Sequence, residues 1–511
     1  MPNVSDLPLR DRIAQLIFVR IGSNLPPIRI VEEDEDRVAR LLETCAIGGL
    51  LLFNGGPATR AALERLQAAS RIPLLVGSDI ERGVGQQVKG YTLFPHAMAL
   101  ARHDRSLDVF IEATAAEARD AGIHITFAPV ADVATNPLNP IISIRAFSDD
   151  ATRAAQATAR YVQLAEGAGL LTTAKHFPGH GDTQQDSHDS LPSVVKSLDE
   201  LRECELLPFQ AAIDTGCSLI MTAHVAFPKV DPSGVPATLS RGLLKDVLRG
   251  EMGFQGAVCS DSLLMAGVRD RFSNEGEMAR AALQAGVDLL LDLREPVEVV
   301  DYLLDCVETG ALDEARVTEA CGRVLSLKQK AFAQQPVNPP TLCDASDAHL
   351  GSVAMGAITL LAGIDSPALP LKPDVPLVAI LLRPFESPID PPEQPLAAAL
   401  RERFRDVTYV QLGPKADAAL FAKARELAGG AKQLLVAMAI RPAAWHAFGL
   451  RPEQSEFVHE LTQSRSDVVL ASLGVPYALE DFPSAVARVC TYSDVPISQQ
   501  ALAEFLLNIG R

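Results

Sequence analysis

From residue 9 to about 330, short apolar runs alternate with longer segments of helical period. The runs cover residues 14–21, 47–53, 73–78, 125–133, 170–175, 219–224, 256–260 and 287–292. Each is bounded by turn-forming residues, the pattern of a parallel strand buried on both faces. Between them lie amphipathic stretches such as 106–121, 151–167 and 198–215. Eight strand–helix units in about 320 residues predict a (β/α)8 TIM barrel.

Residues 334–347 break the rhythm with a proline-rich stretch that has no period. Beyond it the alternation resumes on a smaller scale. Apolar runs fall at 358–362, 376–382, 407–412, 434–440 and 468–473, with helical stretches such as 395–404 and 416–428 between them. This pattern predicts a C-terminal α/β sandwich, with helices around a mostly parallel sheet. The expected organisation is a barrel over 1–335, a linker over 336–347 and a second domain over 348–511.

Composition narrows the function classes. A chain of 511 residues with 48% apolar and 22% charged residues reads as a soluble globular protein of more than one domain. Its net charge of −18 argues against nucleic acid and against an anionic membrane surface as partners. No basic region followed by an apolar segment opens the chain, and no apolar stretch approaches the length of a membrane span. The eight cysteines form no CxxC pair. They read as reduced thiols in a cytoplasmic protein, not as a disulfide framework or zinc site.

The chemistry gathers where the strands should end, as it does at the mouth of such barrels. Run three ends in Asp79-Ile80-Glu81-Arg82, and run four leads into a loop that reaches Arg145. Run five ends in Lys175-His176, run six in His224 and run seven leads to Asp261. Asp261 can be read as a helix N-cap or as a carboxylate that attacks an electrophilic carbon. Asp186-Ser187-His188 can be read as a loop held by local turns. It can equally be a carboxylate that raises the pKa of an imidazole and makes it a general acid. Asp79, Arg145, Lys175 and His176 offer donors and acceptors to several hydroxyls, or form an ion-pair ring. His180 and His224 have no evident role beyond support. A histidine-based metal centre would call for an HxH pair on the first strand, and residues 14–21 hold none. No metal or cofactor is implied.

The run Lys175-His176-Phe177-Pro178-Gly179-His180-Gly181-Asp182-Thr183-Gln184-Gln185-Asp186-Ser187-His188 carries a resemblance. With Ala128-Pro129-Val130-Ala131-Asp132-Val133, Ile144-Arg145-Ala146-Phe147 and Ser260-Asp261-Ser262-Leu263-Leu264-Met265, it resembles glycoside hydrolase family 3. The similar branch is that of bacterial β-N-acetylglucosaminidases of cell-wall recycling. Leu473-Gly474-Val475-Pro476-Tyr477 and Cys490-Thr491-Tyr492-Ser493 resemble that family's second domain. The resemblance implies a retaining two-step mechanism. Asp261 would be the nucleophile, His188 the acid/base with Asp186 as its partner, and Asp79, Arg145, Lys175 and His176 the contacts to the sugar hydroxyls. The implied partner is a small oligosaccharide or muropeptide. A histidine acid is neutral after giving up its proton and repels an incoming anion less than a carboxylate would, which keeps a phosphorylase as an alternative. A family 3 β-glucosidase is a third reading. One departure stands out. The branch has D-x-E-G-G-R with a further arginine three residues on, whereas this chain has Asp79-Ile80-Glu81-Arg82-Gly83-Val84, with Gln87 at the last position.

Overall fold

A computed structural model describes residues 1–183, 191–333, 347–364, 366–386, 391–442 and 448–509. Eight short strands form the first sheet: β1 Ile17–Ile21, β2 Gly49–Leu52, β3 Leu75–Ser78, β4 Ile125–Thr126, β5 Leu171–Phe177, β6 Leu219–Thr222, β7 Ala257–Cys259 and β8 Leu290–Leu291. They pair in parallel in sequence order, and β8 returns to β1 through Ile17 opposite Leu290. The ring closes where the Leu289 N–H donates to the Val258 carbonyl and the Ser260 N–H to the Leu289 carbonyl, both at 3.0 Å. The strands are buried along their whole length, with only Arg20 partly open. Continuous apolar runs follow from burial on both faces.

Three expectations are refined. The first run begins as the helix Leu9–Ala14 and turns to strand only at Ile17. The stretch 198–215 is two helices, Leu198–Glu203 and Leu206–Asp214. Run four is a two-residue strand whose chain continues irregularly beside β5. There the Thr173 N–H reaches the Ala128 carbonyl, the Lys175 N–H the Pro129 carbonyl and the Ala131 N–H the Lys175 carbonyl.

The second sheet contains β9 Thr359–Ala362, β10 Leu377–Leu382, β11 Val407–Leu412, β12 Gln433–Met438, β13 Val468–Ser472 and β14 Ala487–Cys490. Its order is β11-β10-β12-β13-β14-β9, parallel except for β9, which runs antiparallel to β14. Alternate residues of one face (Leu377, Ala379, Leu381, Leu435, Ala437) pack with Leu396, Leu400, Leu502 and Leu506 of the helices Pro395–Arg403 and Pro496–Asn508. Two-residue alternation directs the other buried residues, Val378, Ile380, Leu434 and Val436, to the opposite face. β14 is absent from the expected runs because Arg488 interrupts its four residues.

By contact the chain falls into two compact units. One comprises Met1–Leu93, Leu107–Asn136 and Ala146–Cys343; the other comprises Phe94–Ser106, Pro137–Arg145 and Asp344–Arg511. Two segments from the first third of the chain thus group with the second sheet. Among the described residues no helix is long and apolar enough to cross a membrane. The described cysteines are free thiols, all buried but Cys204.

Barrel closure depends on a buried charge. Asp288 is fully buried and accepts from the Val258 N–H at 2.9 Å, Arg249 at 2.8 Å, Arg316 at 2.5 Å and Arg323 at 3.0 Å. Removing a buried carboxylate strands its cationic partners. Asp288→Ala is expected to lower stability by about 3–5 kcal/mol in urea unfolding. A loss under about 1 kcal/mol, the size of a surface pair, would remove this cluster from the closure.

Candidate active site

The strand ends of the barrel converge as a connected set of polar groups. From β5, Lys175 reaches Asp79 at 2.7 Å and Glu81 at 2.6 Å, and only 3% of its side chain is exposed. Its ammonium thus holds the loop after β3 against the end of β5. The same loop is braced by Gln87, whose side-chain amide donates to the Asp79 carbonyl at 3.2 Å and accepts from Asn24 at 2.9 Å. At the position where the similar branch has an arginine, this chain therefore has a neutral brace between the loops after β1 and β3.

The continuation of β4 beside β5 brings Asp132 next to His176. Asp132 is fully buried. One oxygen accepts from the His176 N–H at 3.1 Å and lies 2.7 Å from Nδ1; the other accepts from the His180 N–H at 2.6 Å. A carboxylate only accepts, so Nδ1 of His176 carries the proton. Burial alone would push the Asp132 carboxyl up. The charge and ring hydrogen bond of His176, followed by His180, outweigh it and hold the carboxyl below the ordinary aspartate value.

Asp261 follows β7 and is partly exposed. It is not a helix cap: the next helix, Ala266–Arg269, has Met265 in that position. Its Oδ1 accepts from the Ser262 N–H at 2.6 Å. Burial pushes its carboxyl up, but the charges of His176 and His224, the Ser262 N–H and Lys175 together hold it below its ordinary value. The group is an anion through the neutral range, as an attacking carboxylate must be.

His224, at the end of β6, supports this turn. Its Nε2 lies 3.0 Å from the Ser262 carbonyl and its Nδ1 2.8 Å from the Thr238 hydroxyl. Ser262 donates its hydroxyl to Asp292 at 2.6 Å, and Arg20 from β1 grips Asp292 at 3.0 and 2.5 Å. His180 pairs with Thr183 at 2.9 Å.

The described residues on either side of 184–190 are tied down. A Cβ on Gly181 would lie 1.7 Å from the Val133 carbonyl oxygen, so only glycine permits this approach. The Asn136 side chain donates to the carbonyls of Asp182 and Thr183 at 3.4 and 3.3 Å. On the return, the Val194 N–H reaches the Ala226 carbonyl beyond β6 at 2.9 Å. Asp186 and His188 lie outside the described residues.

The barrel thus brings together Asp79, Lys175, His176 and Asp261. Arg145 is carried by the Ser143–Arg145 turn of the second unit, where its Nη1 donates to the Ile141 carbonyl at 2.9 Å. Among the described residues no group of three or more histidine, cysteine or acidic side chains could hold a metal ion.

The sequence profile of the Glycosyl hydrolase family 3 N terminal domain matches residues 8–327. The chain belongs to glycosyl hydrolase family 3. Beta-hexosaminidase A of Pseudoalteromonas piscicida is 31% identical over 385 residues, covering 68% of this chain and 64% of that protein, just under two thirds of its length. Beta-hexosaminidase of Stenotrophomonas maltophilia (strain R551-3) is 37% identical over 303 residues, covering 55% of this chain and 86% of that protein. The solved structure of a glycoside hydrolase family 3 beta-N-acetylglucosaminidase from Paenibacillus sp. str. FPU-7 matches with a TM-score of 0.86 at 29% identity, covering 98% of this chain and 97% of that one.

In this family 3 chain the sequence reading named Glu81 and Gln87 only as members of the motif after run three, and gave no role to Asp132 or to the Arg20–Asp292 pair. A signal was present for two of them. Asp132 is a lone charge within an apolar run and Asp292 ends another, and a buried charge is tolerated only with partners.

Asp132 has a pH signature. Because its native carboxyl lies below the ordinary 3.8, its stabilisation is complete above that value and is lost as pH falls through the lower native one. Asp132→Asn is expected to lose about 1.5–3 kcal/mol at neutral pH, the size of hydrogen bonds to a charged group. Urea unfolding at several pH values should show the gap to the unsubstituted chain closing in acid. A gap that stays constant into strong acid would show that the carboxylate's charge is not what stabilises.

Proposed function

We propose that this chain is a retaining exo-β-N-acetylglucosaminidase. It removes terminal non-reducing β-linked N-acetylglucosamine from small saccharides, such as muropeptide- or chitin-derived fragments. The observation that carries the reading is Asp261: an accessible carboxylate after β7, kept anionic by His176, His224 and Lys175. The likeness to the Paenibacillus protein, over nearly the whole of both chains, supports the sugar.

In the first step Asp261 attacks the anomeric carbon, and the glycosidic C–O bond breaks. His188, poised by Asp186, gives its proton to the leaving oxygen. In the second, His188 takes a proton from water, the water oxygen bonds to the anomeric carbon, and Asp261 leaves as a carboxylate. The transition states between are oxocarbenium-like, so the anion of Asp261 offsets positive charge as it develops. Asp79, Lys175, His176 and Arg145 hold the hydroxyls of the sugar. Lys175 is suited to this because its two carboxylate partners, Asp79 and Glu81, hold it in place.

With 4-nitrophenyl β-N-acetylglucosaminide, Asp261→Ala should lower kcat about a thousandfold or more while the circular dichroism spectrum is unchanged. Azide should then restore turnover as an α-glycosyl azide. Substantial activity without azide would sink the nucleophile assignment. The unsubstituted chain should release free N-acetylglucosamine at a rate indifferent to phosphate. A sugar 1-phosphate would make it a phosphorylase, and turnover of the glucoside alone a β-glucosidase.

His188→Ala should slow substrates with poor leaving groups far more than activated aryl glycosides, by about a hundredfold in the ratio. Equal slowing of both would give His188 a structural role.

A further inference from the structure

The turn after β14, within the stretch Cys490-Thr491-Tyr492-Ser493, plays no part in the chemistry above. We infer that Ser493 is a positioning residue for Arg145. It acts through His96 and the short helix that follows it. The inference rests on the proposed contact of Arg145 with the sugar.

Ser493 is fully buried and His96 is 5% exposed. The Ser493 hydroxyl accepts the His96 N–H at 3.3 Å and lies 2.9 Å from Nδ1 of the same residue. One hydroxyl therefore fixes both the backbone and the ring of His96. His96 stands directly before the helix Ala97–Leu100, all of it buried. That helix packs against both the Ser143–Arg145 turn and the helix Asp347–Ala357. Both chain segments, Phe94–Ser106 and Pro137–Arg145, group by contact with Asp344–Arg511. Arg102 of the first segment also stacks its guanidinium 4.6 Å from the Tyr492 ring centroid.

The two ends of this path are each held by contacts of their own. The Thr491 hydroxyl donates to the Ser493 carbonyl at 2.7 Å, and Arg441 pairs with Asp494 at 2.8 Å. At the other end, Asn139 Oδ1 accepts the N–H groups of Ile141 and Ile142 at 2.9 and 2.7 Å, and the Arg145 N–H reaches the Ile142 carbonyl at 2.8 Å. Each turn keeps its own shape. The Ser493 hydroxyl governs how the segment bearing Arg145 is seated, not whether it forms. A polar link between two self-supporting turns is the arrangement that transmits position.

The test uses the full chain carrying Ser493→Ala. Hydrogen exchange should rise in residues 137–145 and stay unchanged in residues 171–177 of β5. KM for 4-nitrophenyl β-N-acetylglucosaminide should rise about two- to tenfold with kcat little changed, the effect of losing a neutral hydrogen bond. In an Arg145→Ala background the same substitution should add nothing to KM. Unchanged exchange at 137–145, or an equal KM effect in both backgrounds, overturns the inference. Raised exchange at 137–145 with a KM that Arg145→Ala itself does not move leaves the seating of the turn standing, and overturns instead the role of Arg145 in holding the sugar.

Discussion

A carboxylate with no access to water must find its hydrogen-bond donors inside the protein, and Asp132 finds three. Two are the backbone and ring of His176; the third is the backbone of His180. Much of the barrel mouth follows from that requirement. The His176 ring is held in one orientation with its proton on Nδ1. The chain after β5 is drawn toward the continuation of β4, and the first turn of the loop is set before Gly181 presses onto Val133. Of the influences that lower the Asp261 carboxyl against its own burial, that of His176 comes first.

The remaining strand ends are joined by the same logic of paired charge. Lys175 binds β5 to the loop after β3, and Gln87 carries that support on to Asn24 beyond β1. Arg20, Asp292 and Ser262 link β1, β8 and the turn after β7. His224 holds that turn from β6. Neighbouring strands thus exchange polar contacts above an apolar body, and the groups at the strand ends inherit their positions from these contacts. Rigid elements with supporting contacts are what hold a reacting group to the tolerance that catalysis needs.

The second unit gathers chain segments from well before its own sheet. Residues 94–106 and 137–145 lie between barrel strands in the chain, yet they group with the second sheet. The turn that bears Arg145 is among them, and the seating of Arg145 falls to Ser493, more than three hundred residues away in sequence. A buried hydroxyl is well suited to this, because it fixes a neighbour without burying a further charge.

Much was legible in the sequence because it depends on local order. A strand covered on both faces must be apolar along its length, so eight apolar runs with helical stretches between them determined the barrel. Polar residues directly after such runs have to lie at strand ends, which marked Asp79, Lys175, His176, His224 and Asp261. The tertiary structure alone decided the partners. Asp132 meets His176 across 44 residues and Lys175 meets Asp79 across 96, because parallel strands bring distant segments side by side. β14 escaped notice because four residues interrupted by an arginine carry too little period to read. The grouping of Arg145 with the second unit left no trace in the pattern at all, since apolar spacing records that a surface is buried and not which surface covers it.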